Sequence, residues 1–191
     1  MAAALVALPG AAYAARDDLA MLSAYAQARG ATSASESAKG YAAMLALFPG
    51  DESVASGAWG QAMVAGDRPL ALQAARGLVK ANALSPDMRM LLLSEAIETR
   101  NWAAAGQQID RISEDRIFAF AAPILRAWVA VGSGKGDALR LLEPGKDNPL
   151  GASYAEEHRP FILLALGRKV EGLAALGNVV KDGGARAQRL R

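Results

Sequence analysis

The stretch Met63–Leu78, MVAGDRPLALQAARGL, decides the fold of this chain. It predicts the end of one helix, a tight turn at Gly66-Asp67 and a second helix that folds back on the first. Similar turn residues recur at Arg100-Asn101, Gly134-Lys135 and Gly167-Arg168. The first residues of these four turns are separated by 34, 34 and 33 residues. A fixed period in this range indicates helical hairpins that stack into a solenoid.

The composition also favours an all-α fold. Apolar residues make up 52% of the 191 residues, and aromatic residues only 6%. Most of the apolar share is Ala and Leu, which are strong helix formers, and Ala lets neighbouring helices pack closely. Runs of β-branched residues bounded by turn signals are missing, so we expect no sheet. The length predicts one domain of ordinary size.

The charge balance excludes some classes of partner. The 21 Lys and Arg residues exceed the 19 Asp and Glu residues by a net charge of +2. Nucleic-acid binding needs clustered positive charge, so we expect no nucleic-acid partner. The one local excess is a basic tail, 182–191, which we interpret as a solvated end, with partner binding as the alternative. The sequence has no Cys, which excludes disulfides, thiol catalysis and zinc–thiolate sites.

The first 14 residues, MAAALVALPGAAYA, resemble an export signal. They are uncharged and too short to span a bilayer, and Ala12-Tyr13-Ala14 fits the small-x-small rule of a cleavage site. We therefore predict a signal peptide at 1–14 and a periplasmic or otherwise exported mature chain without stable membrane insertion. The usual positive segment before the apolar run is missing. Either the signal is truncated, or these residues start an Ala-rich helix of a cytoplasmic protein.

The remaining sequence divides into helices by apolar spacing and by Pro and Gly stops. In 15–36 we predict an N-terminal helix, Asp18–Arg29, followed by a connection. The repeat domain spans 37–181 and opens with a helix at Lys39–Phe48. About four hairpins follow, at 53–65 and 69–81, 87–99 and 102–112, 116–131 and 136–142, and 152–166 and 169–181.

Three breaker residues or segments refine this division. Pro123 lies within the predicted helix 116–131, so either a kink falls there or the helix starts late. Residues 143–151, EPGKDNPLG, predict a loop. Gly183-Gly184 is predicted to end the last helix.

Three segments carry a resemblance to a known family: 65–75 (AGDRPLALQAA), 99–109 (TRNWAAAGQQI) and 165–176 (ALGRKVEGLAAL). They resemble the turn and second helix of tetratricopeptide repeats, which have a 34-residue helix-turn-helix unit. Ala71 and Ala105 match the family's Ala position, whereas Leu139 and Gly172 replace it, and the first-helix Trp, Gly and Tyr pattern is largely absent.

The resemblance covers about 37–181. Within the family, the chain is similar to Ala-rich, exported tetratricopeptide-like proteins of alphaproteobacteria. It implies a right-handed α-solenoid of antiparallel helical hairpins. It also implies a scaffold that binds a protein or peptide and has no catalytic activity of its own.

In that family the first helices line a concave groove. Carried over to this sequence, the resemblance implies a binding face formed by Met63, Met90, Ser94, Glu98, Trp128, Tyr154 and Phe161. Met, Trp and Tyr suit such a face because they offer a large contact area. The alternative is that several of them pack against the next repeat. The family's Lys/Asn clamp for a C-terminal carboxylate is not visible at these positions.

The segment GSGKGD, 132–137, is not a phosphate-binding loop. That loop needs G-x-x-x-x-G-K-[ST] after a strand, whereas Gly136 follows Lys135 between two predicted helices. We interpret the segment as an inter-helix turn.

The segment Glu156-Glu157-His158-Arg159 contains the only His. An acid/base pair is conceivable, but adjacent helical residues point in different directions, so a solvated helix face is preferred. A lone His makes no zinc site without further ligands. We therefore expect no catalytic residue, no metal and no cofactor.

Three functional hypotheses follow. The first is a tetratricopeptide-like scaffold that binds a protein or peptide and is not an enzyme. The second is the helical accessory part of a cell-envelope, peptidoglycan-acting enzyme or assembly. The third is a self-associating repeat protein, although the polar tail after Val180 argues against an open end there. The oligomeric state stays open.

Overall fold

The structure, a computed structural model, describes residues 9–80, 82–115, 117–143 and 149–189, and only the backbone of 9–17, 80 and 182–189. Within these ranges the chain is helical and has no strand, as the composition predicts. The helices are α1 (Pro9–Gly30), α2 (Ala34–Leu47), α3 (Glu52–Ala65), α4 (Arg68–Lys80), α5 (Pro86–Glu98), α6 (Trp102–Ser113), α7 (Ala122–Ser133), α8 (Ala138–Leu141), α9 (Pro149–Ala165) and α10 (Lys169–Arg189).

Residues 1–8 of the predicted export signal lie outside the described residues, and 9–14 form the start of α1. Among the helices that the structure describes, none combines the length and the apolar character that a membrane span requires.

The first of two compact units, Met1–Met88, contains α1 to α4, and each helix packs on the next. Its core includes Met44, Leu45 and Leu78, which are fully buried. Small residues bring the helices close together. A Cβ atom at Gly40 of α2 would lie 2.7 Å from the Ala28 backbone nitrogen of α1, so the two helix backbones are in contact.

In the second unit, Arg89–Arg191, the described residues include two apolar clusters. One joins α5, α6 and the start of α7 through Leu93, Ile109 and Ile112. The other joins α7, α8 and α9 through side chains that include Leu142 and Ile162. The last helix, α10, packs against α9. The prediction of helices that pack consecutively is therefore confirmed in each unit.

The four predicted turns share one backbone conformation. Gly66, Arg100, Gly134 and Gly167 have φ values of 69°, 54°, 67° and 79°, in the left-handed region. In the first, second and fourth turns the next amide donates to the carbonyl five residues earlier, at 2.8, 2.8 and 2.9 Å. This closes the preceding helix with the 6→1 bond of the Schellman motif. The repeat period therefore corresponds to a repeated backbone geometry.

The residue that caps the returning helix explains a difference at the third turn. Asp67 and Asn101 directly follow the left-handed residue, and their side chains accept from amides of the next helix at 3.1 Å. At the third turn the cap is Asp137, three residues after Gly134. This turn is two residues longer, so α8 begins at Ala138 rather than at 136. The helix ends at Leu141 and has four residues.

The predicted start of α2 at Lys39 is wrong, because the connection contains a capping box. Ser33 accepts a hydrogen bond from the Glu36 amide at 3.2 Å, and Glu36 accepts from the Thr32 amide at 3.0 Å. These groups start the helix at Ala34. The bonds from the Thr32 backbone and hydroxyl hold the pKa of the Glu36 carboxyl below its usual range.

Pro123 starts a helix late and does not kink one. It is the second residue of α7, where a missing N–H leaves no helical bond unmade, and Ala119–Ala121 form a short 3-10 turn before it. The late start that the sequence left as one of two alternatives is therefore confirmed, and the predicted start at 116 lies outside the described residues.

The other ends also differ. α1 begins at Pro9 rather than Asp18, α9 begins at Pro149 within the predicted loop, and α10 continues past Gly183-Gly184 to Arg189. Two glycines inside a helix cost about 2 kcal/mol in helix propensity, but α10 nevertheless continues through both.

Replacing Arg100 by Gly is expected to raise the free energy of unfolding by about 1 kcal/mol, because a left-handed non-glycine residue carries a cost of that size. Arg100 has a backbone φ of 54°, and its side chain is exposed. Urea unfolding followed by circular dichroism measures the change. The matched control is Gly167→Ala, at φ 79° with open space around the Cβ position, which should lose about 1 kcal/mol. Destabilisation by Arg100→Gly would contradict the shared turn geometry.

Candidate functional site

An open groove of about 800 Å³ lies between α9 and α10 in the second unit. The lining residues of α9 are Pro149, Ala152, Ser153, Glu156, Glu157, Arg159 and Phe161. The lining residues of α10 are Ala175, Leu176, Asn178 and Val179. The groove is therefore formed by the two helices of one hairpin.

The close approach of α9 and α10 fixes the position of this groove. A Cβ atom at Gly172 would lie 2.7 Å from Leu164 Cγ and 3.1 Å from the Pro160 carbonyl oxygen. This contact is near the turn that joins the helices. The groove lies on the other side of it, toward the start of α9 and the later part of α10. Glycine at 172 therefore allows the contact that sets one end of the groove.

The lining combines apolar side chains with a few charges. Phe161 is 48% exposed, and Leu176 and Val179 are half-buried. Glu156 and Glu157 are exposed, and the Arg159 Nε atom lies 3.9 Å from Glu156 Oε1. Two carboxylates and one guanidinium leave the charged lining negative. Such a surface suits an apolar side chain that is followed or preceded by a basic group.

Of the seven residues of the predicted binding face, Phe161 lines this groove. Trp128 and Tyr154 make packing contacts instead. The Trp128 indole Nε1 donates to His158 Nδ1 at 3.1 Å, and the Tyr154 ring lies 5.4 Å from the Phe120 ring centroid. These two aromatic residues tie α9 to the segment from Phe120 to α7.

The other four lie on α3 and α5. Met63 is exposed on α3, in the first unit. On α5, Met90 packs against the apolar cluster of α5 to α7, Ser94 is half-buried and Glu98 is exposed. None of these four contributes to the lining of the groove.

Sequence reasoning missed the contribution of α10. The family resemblance directs attention to the first helix of each hairpin, whereas Leu176 and Val179 are on a second helix. A sequence signal was present, since Gly172 replaces the Ala expected at that position and permits an unusually close helix contact. Glu156 and Glu157 are exposed as the solvated-face interpretation predicts, but His158 is half-buried against Trp128.

The segment GSGKGD joins α7 to α8. Lys135 is exposed, and Asp137 caps α8. The interpretation as an inter-helix turn is confirmed. Within the part of the chain that the structure describes, no three His, Asp or Glu side chains come together as potential metal ligands.

Comparison with protein-family models, curated proteins and solved structures finds no significant match to this chain.

Gly172→Ala should be about 2 kcal/mol less stable than Gly177→Ala, because the added methyl group overpacks the contact with Leu164 and Pro160. Gly177 is the matched control on the same helix, since its Cβ position has no atom within 4 Å and alanine there improves helix propensity. Thermal unfolding of both variants gives the difference. Equal stability of the two variants would show that α9 and α10 are not in close contact at Gly172.

Proposed function

We propose that this protein is a tetratricopeptide-like scaffold, a right-handed solenoid of helical hairpins, that binds a protein or peptide and catalyses no reaction. The observation that carries the proposal is the groove between α9 and α10, which is open to solvent and lined by both apolar and charged side chains. Four left-handed turns at a nearly constant spacing support the repeat architecture.

The shape and lining of the groove favour a peptide segment as its ligand. Binding sites for small molecules enclose most of the ligand surface, whereas this groove is open along one side. Phe161 and Leu176 offer apolar side chains to a ligand, and Glu156, Glu157 and Arg159 add charged groups to the lining. Protein interfaces commonly combine apolar and polar contacts.

The charges indicate which peptides would be preferred. Glu156 and Glu157 are exposed carboxylates on α9, and the single lining guanidinium of Arg159 is only loosely paired with Glu156 at 3.9 Å. We therefore infer a preference for a segment that has a large apolar side chain close to Lys or Arg. Exposed carboxylates such as these affect specificity and association rate more than total affinity.

We also propose that the protein acts outside the cytoplasm, in the periplasm or after export. The support for this location is the sequence of residues 1–14, with its uncharged apolar run and the small-x-small site at Ala12-Tyr13-Ala14.

A library of random peptides displayed on phage, selected on the full chain, tests the proposed binding. Selected peptides should share an apolar residue near a basic one. Phe161→Asp should weaken their binding by at least about tenfold, as expected for the loss of a large apolar contact. The exposed control Ile117→Asp, at 64% exposure outside the groove, should leave binding unchanged.

A double variant tests the proposed preference for basic peptides. Glu156→Gln combined with Glu157→Gln should weaken the same peptides several-fold at low salt and less at high salt, because screening removes the attraction. Failure to select any peptide, or equal binding by Phe161→Asp and the unmodified chain, would contradict the proposed site.

A further inference from the structure

The outer face of α10 exposes an apolar stripe. Val170, Leu173 and Val180 are 84%, 62% and 66% exposed, and Gly177 completes a spacing of three, four and three residues along one side of the helix. The face of α10 that packs on α9 is a different one, centred on Gly172, Leu176 and Val179. A helix that is apolar on two faces is normally covered on both.

Each unit of a stacked helical array buries its apolar face against a neighbour, so an apolar stripe that no described helix covers suggests a partner. The sequence analysis identified polar residues after Val180. In the structure those residues continue α10 to Arg189, so they lie beyond the stripe along the helix axis and leave the stripe itself uncovered.

We propose that a second copy of this chain covers the stripe, with the two α10 helices packed antiparallel around a two-fold axis. An antiparallel pair centred on residue 175 places Leu173 of one copy opposite Gly177 of the other, and Val170 opposite Val180. By symmetry, the Leu173 side chain of each copy then lies against Gly177 of the other copy, which has no side chain. The pattern is complementary to itself, which is the requirement for a symmetric contact between identical surfaces.

The middle of α10, where the proposed contact lies, carries no charge. Residues 172–180, GLAALGNVV, are uncharged. Glu171 is held within its own copy by Arg168, whose Nε donates to Glu171 Oε1 at 2.8 Å. Lys169 and Lys181 come to the same level at each end of an antiparallel pair, and their mutual repulsion opposes association. Because salt screens this repulsion, dimerisation should strengthen as ionic strength rises.

The size of the stripe predicts a weak dimer. Its exposed apolar area is on the order of 400 Å², which matches patches that are often functional on monomers and is about half of what each partner buries in a standard stable complex. We therefore expect reversible association. The contact is separate from the groove between α9 and α10, so it does not depend on the proposed peptide binding.

Sedimentation velocity of the full chain over a range of concentrations tests this inference. We expect a reversible monomer–dimer equilibrium that tightens at high ionic strength. Leu173→Asp should raise the dissociation constant by at least about tenfold. Val64→Asp, which changes an exposed side chain of α3 at 74% exposure, is the matched control and should not affect it.

The variant Gly177→Leu distinguishes specific packing of the two helices from non-specific hydrophobic association. Its Cβ position has no neighbour within 4 Å in the chain, so the variant should keep the fold, as circular dichroism can verify. The added side chain increases the apolar area but fills the space that Leu173 of the other copy requires. We expect weaker dimerisation, by several-fold or more.

Four results would overturn the inference. They are a monomer at every concentration, growth beyond a dimer, tighter association of Gly177→Leu, and equal weakening by Val64→Asp. Growth beyond a dimer would instead indicate a head-to-tail contact, for example with the exposed Leu19 and Leu22 of α1, because such contacts do not close.

Discussion

Four of the short connections between helices each contain a residue with left-handed backbone, which closes the preceding helix and lets the chain reverse within two to four residues. The constraint is local, because the carbonyls at the end of a helix need partners and the 6→1 hydrogen bond supplies one only in this conformation. Glycine occupies three of the turns and Arg100 the fourth. Asp67, Asn101 and Asp137 then cap the returning helices. These short segments therefore determine where one helix ends and the next one begins.

Small residues determine how closely the hairpins pack. Many core positions are Ala, and several such as Ala55, Ala58 and Ala127 are completely buried. Glycine at 172 brings α10 against the backbone of α9, and the groove begins on the side of that contact away from the turn. In the last hairpin, the two helices are therefore in close contact at Gly172 and leave open space farther from the turn. The proposed binding groove is this open space.

The sequence was sufficient for features that depend on neighbouring residues and insufficient for those that depend on packing. Period, turns and most helices of the hairpins could be predicted because Gly, Pro and Asx residues act within a few positions. The early start of α2 was missed although Ser33 and Glu36 form a capping box, since the surrounding small polar residues also fit a connection. The groove was not predictable in this way. Leu176 and Phe161 line the same space only because Gly172 lets two helices approach. The exposure of the apolar stripe of α10 likewise depends on which helices pack around α10, which local sequence patterns do not specify.

The central claim is that the α9–α10 hairpin is the binding site of a helical-repeat scaffold. Hydrogen exchange of the full chain, measured by mass spectrometry with and without a peptide selected on it, tests this claim most directly. Ligand binding suppresses local opening where the contacts form. We predict slower exchange in Pro149–Ala165 and in α10 up to Lys181, with α1 to α4 unchanged. Slower exchange in α1 to α4, or unchanged exchange in α9 and α10 at saturating peptide, would contradict the claim.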